Sequence, residues 1–352
     1  VKVSLQIKNI NYKAMQKYFF FLLSYFFLLP LYSEDLISQR GMGNLIGAET
    51  WARCAGELAS EGAKEYELSY ERSPTMPKSP FAGDYEPKFL PPVGLPGSIQ
   101  VYNMDVLNEN VNDGNQGTQM DAFGHFSHTE KTWDGESELN TSKAKYFGGF
   151  RQEDVKPSPD SPLMKLGMET VPPIVTSAIL LDVRKHVFNG EPMEAGQYVT
   201  IEHLEKTLEL SSLSKRGILP GDVVLINTGW SDNYEDPDIS KVYYSYAPGI
   251  SYATAEYLGS KQVVAVGLDT PFVDAVPNPD SAIQYEMPGG MPEGLGFPVH
   301  HYFLTQVGIY TLENLKLDEL SKDSVTQSCV MILPLLSRGS AASPIRPVAI
   351  GG

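Results

Sequence analysis

Two apolar runs constrain the fold of this chain more than any other feature of its sequence. Val223–Asn227 and residues 263–268 are almost continuously apolar, and residues 251–258 between them have the pattern of a helix. A strand with one solvated face alternates apolar and polar residues, whereas a strand buried on both faces is apolar throughout. The two runs therefore predict strands that are buried on both faces.

Two further strands and a second helix are predicted on similar grounds. Residues 98–107 alternate and contain β-branched side chains, while residues 177–183 are largely apolar. Thr200 is suited to cap a helix that runs to about residue 210 and places Leu204 and Leu208 on one face. Regular structure is thus expected mainly in the second half of the chain.

Two segments are predicted to be loops. Residues 70–97 contain seven prolines, which disrupt the hydrogen bonding of helices and strands, so this segment is expected to lie over the domain surface without regular structure. Residues 271–298 are rich in Pro and Gly and end directly at His300 and His301. Long loops in compact domains often bind ligands, and this one is predicted to form one wall of an active site.

Residues 1–33 are predicted to be upstream sequence followed by a signal peptide. Lys13 and Lys17 precede an apolar run at residues 18–31, and small and polar residues follow it. A transmembrane anchor is the alternative, but the run is shorter than the roughly 20 residues that a span needs, and Pro30 interrupts its end. We therefore expect cleavage after this run, a secreted or periplasmic protein, and no stable membrane anchor.

The rest of the chain is expected to form an N-terminal arm, residues 34–65, and one large domain, residues 66–352. The formal net charge is −16 at pH 7, and a surface of this charge repels nucleic acid and anionic lipid. Nucleic acid and anionic membrane surfaces are therefore not expected partners.

The chain has two cysteines, Cys54 and Cys329. They could form a disulfide in an oxidising compartment. Cys329 lies in an apolar run at residues 328–336, however, and this position favours a buried free thiol. Two cysteines are too few for a cysteine-based zinc site.

Residues 115–126 carry the strongest chemical signal of the sequence. A turn at Gly117-Thr118 would bring together the side-chain oxygens of Asn115, Gln119 and Asp121, and His125 would share a face with Asp121 if a helix follows. Oxygen ligands and a base at one point are the components of a hydrolytic metal centre. The alternative is ordinary turn chemistry, in which Asp121 caps a helix and His125 packs beneath it.

This segment resembles the His-x-Gly-Thr-His-x-Asp-x-x-x-His signature of the cyclase superfamily, metal-dependent hydrolases that include bacterial kynurenine formamidase and isatin hydrolase. Asp121 and His125 match the signature, whereas Asn115 and Gln119 stand where it has histidines. The resemblance covers most of residues 66–350 in the family's order, and its other matching segments are residues 66–84, the Gly-Asp-Val-Val-Leu run at 221–225, the Val-Gly-Leu-Asp-Thr run at 266–270, residues 301–313 and residues 344–348.

The resemblance implies an α/β domain of the swivelling β/β/α type, with a mixed central sheet and outer helices. It also implies a bound divalent metal ion and a homodimer or higher oligomer. His301 is preferred over His300 as a ligand because the family spaces its later His and Glu twelve residues apart. The implied site consists of the metal ligands Asn115, Gln119, Asp121, His301 and Glu313, the general acid/base His125, and the substrate contact Phe81.

Asn115 and Gln119, which depart from the signature, affect which metal ion the site is expected to bind. Replacing imidazole nitrogens by the amide oxygens of Asn115 and Gln119 leaves the ligand charge unchanged and makes the donors harder. This shifts the expected preference from zinc toward oxygen-preferring ions such as manganese, and the expected cofactor is Mn²⁺ or Zn²⁺. The reaction that the resemblance implies is hydrolysis of an amide, formamide, cyclic imide or lactone in a small carbonyl compound. The missing histidines also motivate an alternative, a secreted binding protein that keeps the fold without metal or catalysis.

Overall fold

A nine-stranded mixed sheet organises residues 38–107 and 112–352, the part of the chain that the computed structural model describes. Its strand order is β1-β13-β11-β5-β7-β9-β10-β4-β12, and two short two-stranded sheets pair β2 with β3 and β6 with β8. The strands are β1 (Lys64–Glu67), β2 (Lys88–Gly94), β3 (Val101–Val106), β4 (Gln119–Asp121), β5 (Ile174–Asp182), β6 (Tyr198–Val199), β7 (Val223–Asn227), β8 (Gly249–Ile250), β9 (Ala265–Leu268), β10 (Tyr310–Glu313), β11 (Gln327–Ile332), β12 (Ala342–Pro344) and β13 (Val348–Gly351).

The middle of the large sheet is parallel and its flanks are antiparallel. Strands β5, β7, β9 and β10 run parallel to one another, whereas β4, β11, β12 and β13 pair antiparallel with their neighbours. Alternate residues of β7 pack into two different hydrophobic clusters, Val223 and Leu225 into one, Val224 and Ile226 into the other. Because successive side chains of a strand point to opposite faces, the sheet is buried on both faces, as the apolar runs predict.

Helices cover both faces of the sheet. They are α1 (Ala48–Leu58), α2 (Gln152–Val155), α3 (Val183–His186), α4 (Ile201–Leu210), α5 (Tyr252–Ser260), α6 (Pro298–His300), a π-helix (His301–Val307) and α7 (Asp318–Lys322). The side chain of Thr200 accepts a hydrogen bond from the backbone of His203, and Ser251 does the same for Thr254, so each caps a predicted helix. The observed architecture confirms the α/β class with a mixed sheet and outer helices.

The prediction of a loop throughout residues 70–97 is wrong at its end, where β2 pairs antiparallel with β3. The strand contains Pro91 and Pro92, and the register of the pairing shifts between Leu90 and Val93. Proline lacks the N–H that a ladder needs, and the shift places the two prolines where the regular pairing is interrupted. The strand predicted at residues 98–107 is confirmed as β3.

The expectation of a free thiol at Cys329 is also wrong, because Cys329 forms a disulfide with Cys54. Helix α1 packs across β5 and β11, which brings the Cα atoms of the two cysteines to 4.4 Å from each other. An apolar environment and a disulfide are compatible, so the apolar run around Cys329 could not distinguish them. The predicted arm, residues 34–65, contains α1 and thus contributes a helix to the domain.

Residues 38–352 form one unit by their internal contacts. The predicted signal peptide lies outside the described residues and stays a prediction. Within residues 38–107 and 112–352, no helix has the length and apolar character needed to cross a membrane.

The disulfide leads to a prediction about stability. Replacing both Cys54 and Cys329 by Ala should lower the free energy of unfolding by about 2–4 kcal/mol, because the cross-link restricts the unfolded chain. Denaturant unfolding of the two proteins measures the difference. As a control, the wild-type protein denatured without reductant should not react with a thiol reagent, and modification of two thiols there would contradict the disulfide.

Candidate active site

The pairing of β4 with β10 assembles the polar floor of a cavity of about 430 Å³. Gln119 lies opposite Glu313 in this antiparallel pair, and Met120 lies opposite Leu312. Because side chains alternate along a strand, Met120 and Leu312 point into the core while the polar residues on either side of them share the other face. The cavity is lined by Ser79, Phe81, Asn112, Asn115, Gln119, Asp121, His125, Phe126, Phe272, Phe297, His300 and Glu313.

The carboxylate of Asp121 is held by hydrogen bonds on both oxygens. Asn115 Nδ2 donates to Asp121 Oδ1 at 3.2 Å, and Thr311 Oγ1 donates to Asp121 Oδ2 at 3.1 Å. His300 Nε2 lies 3.6 Å from Asp121 Oδ2. The side chain is 1% exposed, so its orientation is fixed by these contacts rather than by solvent.

The carboxylate of Glu313 is held in the same way. Gln119 Nε2 donates to Glu313 Oε2 at 2.5 Å, and the backbone N–H of Val273 donates to Glu313 Oε1 at 3.1 Å. His300 Nε2 lies 3.0 Å from the same Oε1. Glu313 is also 1% exposed, so its carboxylate is shielded from solvent as well.

His300 is oriented by a third carboxylate behind it. Its Nδ1 lies 2.6 Å from Asp274 Oδ2, and Asp274 also accepts hydrogen bonds from the backbone N–H groups of Val299 and His300. This leaves Nε2 of His300 directed at the carboxylates of Asp121 and Glu313. A carboxylate that holds one ring nitrogen of a histidine while the other faces a site is the usual arrangement for metal-binding histidines.

The buried charges shift the pKa values of all three groups. Burial opposes a charge on His300, but the carboxylates of Glu313, Asp121 and Asp274 outweigh it and raise the pKa of His300 well above its usual value. Burial raises the pKa of Glu313. Burial would also raise the pKa of Asp121, but the charges of His125 and His300 outweigh this effect and lower it. The pair of buried carboxylates therefore requires a positive charge between them, either a proton on His300 or a cation.

Two buried oxygens indicate that a cation fits here. Asn115 Oδ1 and Gln119 Oε1 have no hydrogen-bond partner among the described residues, while the amide nitrogen of each residue donates to a carboxylate. Buried acceptors are normally paired. Ligand atoms of Asp121, His300 and Glu313 all lie within 4.8 Å of one another. The floor of the cavity is thus a possible metal-binding site.

The sequence bears out the family suggested by the motif. The family model named Cyclase matches residues 66–275, more than half of the chain. The chain belongs to the Cyclase family. The matched residues include Asn115, Gln119, Asp121 and His125 but end before His300. A search of the curated proteins gave no match.

Solved structures show the same fold as this chain. A structure described as a novel cyclase has a TM-score of 0.69 at 21% identity, covering 88% of this chain and 94% of that chain. Isatin hydrolase A from Ralstonia solanacearum has a TM-score of 0.53 at 18% identity, covering 87% and 100%. Isatin hydrolase A from Labrenzia aggregata, bound to benzyl benzoate, has a TM-score of 0.54 at 17% identity, covering 86% and 98%.

The choice between the two histidines is corrected by their positions. His300 lies between the carboxylates, whereas His301 lines a neighbouring cavity and stacks edge-to-face with His128. His301 begins a π-helix that lies between the histidines and Glu313. Because a π-helix has a longer repeat than an α-helix, a count of twelve residues does not decide which histidine faces Glu313.

The other predicted site residues line the cavity, although the local structure differs from a helix. Asp121 ends β4, and His125 lies in a 3-10 turn at Phe123–His125. Asp121 is therefore not a helix cap. His125 is half-buried at the side of the cavity, with its ring 5.2 Å from that of Phe126.

Phenylalanines form the apolar wall. The ring of Phe81 lies edge-on to Phe272 and Phe297 at 6.0 and 6.2 Å, and Phe126 lies 6.3 Å from Phe297. Phe272 and Phe297 come from the two ends of the loop predicted to form a wall of the site, and their position confirms that prediction. Phe81, the predicted substrate contact, is 58% exposed at the mouth.

Sequence reasoning missed Asp274 and Thr311, which support the site without lining its cavity. Asp274 is followed and preceded by apolar residues, and a carboxylate in such a setting needs a partner when buried. This pattern predicts that Asp274 has a partner, but it does not identify His300, which lies at the far end of a long loop.

Asp274 provides a test of the site. Asp274→Asn removes the charge that orients His300, so it should weaken the binding of a divalent ion by about 10- to 100-fold. Equilibrium dialysis with Mn²⁺ and Zn²⁺ measures the affinity. The matched control is Asp280→Asn, an exposed acid in the same loop, and equal affinities for the two variants would contradict the positioning role of Asp274.

Proposed function

We propose that this chain is a metal-dependent hydrolase that opens the amide, formamide, cyclic imide or lactone bond of a small carbonyl compound. The observation that carries the proposal is the buried set of Asp121, His300 and Glu313 beneath an open cavity, with two amide oxygens that lack partners. Membership of the Cyclase family and the isatin hydrolases among the fold neighbours support a hydrolase.

Five side chains would hold the ion: Asp121, His300, Glu313, Asn115 and Gln119. When bound, a divalent ion lowers the pKa of a water ligand and polarises a substrate carbonyl. The proposed ion is Mn²⁺ or Zn²⁺, because oxygen donors outnumber the single imidazole in this set. The two carboxylates supply two negative charges, which a divalent ion balances without a proton on His300.

His125 is the proposed general acid and base. It lines the cavity and lies close enough to Asp121 to lower the pKa of that carboxyl group. A water oxygen bonds to the carbonyl carbon and His125 takes the water proton. The bond from carbon to the leaving nitrogen or oxygen then breaks, and His125 returns the proton to the leaving atom.

The walls of the cavity favour an uncharged aromatic substrate. Four phenylalanines surround the space, and none of the cavity-lining side chains among the described residues is Lys or Arg. The positive charge in the floor is already balanced by Asp121 and Glu313, so a substrate carboxylate would add a third negative charge there. Benzyl benzoate, the ligand of one isatin hydrolase neighbour, is an uncharged aromatic ester of the kind that this cavity suits.

We also propose a secreted or periplasmic location and self-association. The disulfide supports the location, since disulfides persist in oxidising compartments. Exposed apolar side chains on and beside the β2–β3 hairpin, Phe89, Ile99 and Val101, support self-association, because such patches on soluble proteins often mark interfaces.

The hydrolase and the metal-free binding protein differ in their dependence on Asp121. Asp121→Ala removes one of two buried carboxylates, so it should abolish metal retention and hydrolysis together. Metal content and turnover of uncharged aromatic formamides, cyclic imides and lactones are measured side by side. Asp160→Ala, a change to an exposed acid, is the control, and hydrolysis at the wild-type rate in Asp121→Ala would contradict the metal-hydrolase proposal.

Gln119 provides a test of metal choice. Gln119→His replaces an oxygen donor by a nitrogen donor, so it should raise the affinity for Zn²⁺ relative to Mn²⁺. Competition dialysis with both ions gives the ratio. The control is Gln116→His, which introduces histidine at another buried glutamine of the same turn. Gln116 does not line the cavity. An equal ratio in wild type and Gln119→His would mean that Gln119 only holds Glu313.

A further inference from the structure

A second cavity of about 510 Å³ lies next to the candidate active site. Its walls come from residues 126–133 and from residues 293–301, and Phe126 and Phe297 line both cavities. The adjacent histidines His300 and His301 therefore face different spaces, His300 the active site and His301 the second cavity.

His301 meets another histidine in this second cavity. The ring centroids of His128 and His301 are 4.9 Å apart, and the rings are inclined by 82°. Both side chains are half-buried, so His128 is less exposed than an ordinary surface histidine. Neither residue has a role in the proposed hydrolytic reaction, and the pair requires an explanation of its own.

The hydrogen bonds around His301 leave one ring nitrogen free to bind a ligand. Thr305 Oγ1 donates its proton to the backbone oxygen of His301 at 2.7 Å and accepts from Gln306 Nε2 at 2.8 Å. Its remaining contact is with His301 Nδ1 at 3.2 Å, and this nitrogen must donate because the hydroxyl proton is already used. His301 is then protonated on Nδ1, and Nε2 carries a lone pair.

His128 has a ring nitrogen without a partner. Its Nδ1 is buried and makes no hydrogen bond within the described residues. The backbone of His128 is fixed by two hydrogen bonds with Lys145, at 3.1 and 2.9 Å. A buried nitrogen on a fixed backbone, left unpaired, is unfavourable unless a ligand satisfies it.

The separation of the two rings suits a shared metal ion. Two imidazoles on one tetrahedral zinc ion, with Zn–N bonds of about 2.0–2.1 Å, have ring centroids roughly 5 Å apart. We propose that His128 and His301 form a second metal site, distinct from the one at Asp121, for a divalent ion that prefers nitrogen donors, such as zinc. Glu130 lines the same cavity, but its carboxylate does not lie close enough to the two imidazoles to be a third ligand.

An ion in this site would connect the two walls of the active-site cavity. His128 follows the catalytic motif by three residues, and His301 follows the long loop that ends at Pro298. Phe126 and Phe297 lie between the two cavities, so the ion would restrict the movement of the apolar wall that contacts substrate. This site does not depend on the proposed reaction.

The test uses the full chain with the first site removed. Zinc is titrated into the Asp121→Ala variant by equilibrium dialysis, and one bound equivalent is expected. Adding His128→Phe, which keeps the aromatic contact with His301 but has no ligand atom, should remove that equivalent, and His301→Ala should do the same. His186→Ala, a change to a half-buried histidine elsewhere, should retain it.

Two outcomes would overturn the second site. One is the absence of bound zinc in Asp121→Ala, which would mean that any zinc of the wild type belongs to the first site. The other is zinc that remains after both His128→Phe and His301→Ala. Thermal unfolding of each variant, without zinc, establishes that a lost equivalent does not come from unfolding. These outcomes can be interpreted even if the protein shows no hydrolase activity, because the test measures only zinc binding and thermal unfolding.

Discussion

Two carboxylates buried in neighbouring strands are the constraint on which the site depends. Asp121 on β4 and Glu313 on β10 are each 1% exposed, and two negative charges in a weakly polar environment are unfavourable without a positive charge nearby. The strand register places them on one face, so their separation is set by the sheet and does not relax. Every other polar contact in the floor can be understood as compensation for this pair.

The polar contacts that compensate the buried carboxylates also position the apolar wall of the cavity. Glu313 accepts a hydrogen bond from the backbone of Val273, and Asp274 accepts one from the backbone of Val299. These contacts fix both ends of the long loop, and Phe272 and Phe297 lie next to the fixed residues. The rings that surround the substrate space are therefore held by the same charges that form its floor. A substitution among the polar residues of the floor should therefore shift the aromatic rings of the wall, even when no aromatic residue is replaced.

Local patterns predicted the elements, whereas contacts between distant segments could not be predicted. The apolar runs at β7 and β9, the helical pattern of residues 251–258 and the cap Thr200 gave correct elements, because periodicity and capping are properties of neighbouring residues. The disulfide and the support of His300 by Asp274 join residues far apart in the chain. The pairing of β2 with β3 is local, but β2 was not expected because it contains Pro91 and Pro92. The choice of His301 failed for a related reason, since a π-helix changes which residue of a helical segment faces a given neighbour.

The two amides that replace family histidines have one geometry in common. Asn115 donates its amide hydrogen to Asp121 and leaves its oxygen unpaired, and Gln119 does the same with Glu313. A side-chain amide can donate to a carboxylate and present an oxygen to a cation at the same time. An imidazole that gives its lone pair to a metal has a donor only on the opposite side of the ring. The two amides thus fit the proposed metal centre, in which each would link the ion to a carboxylate, better than they fit the loss of metal binding.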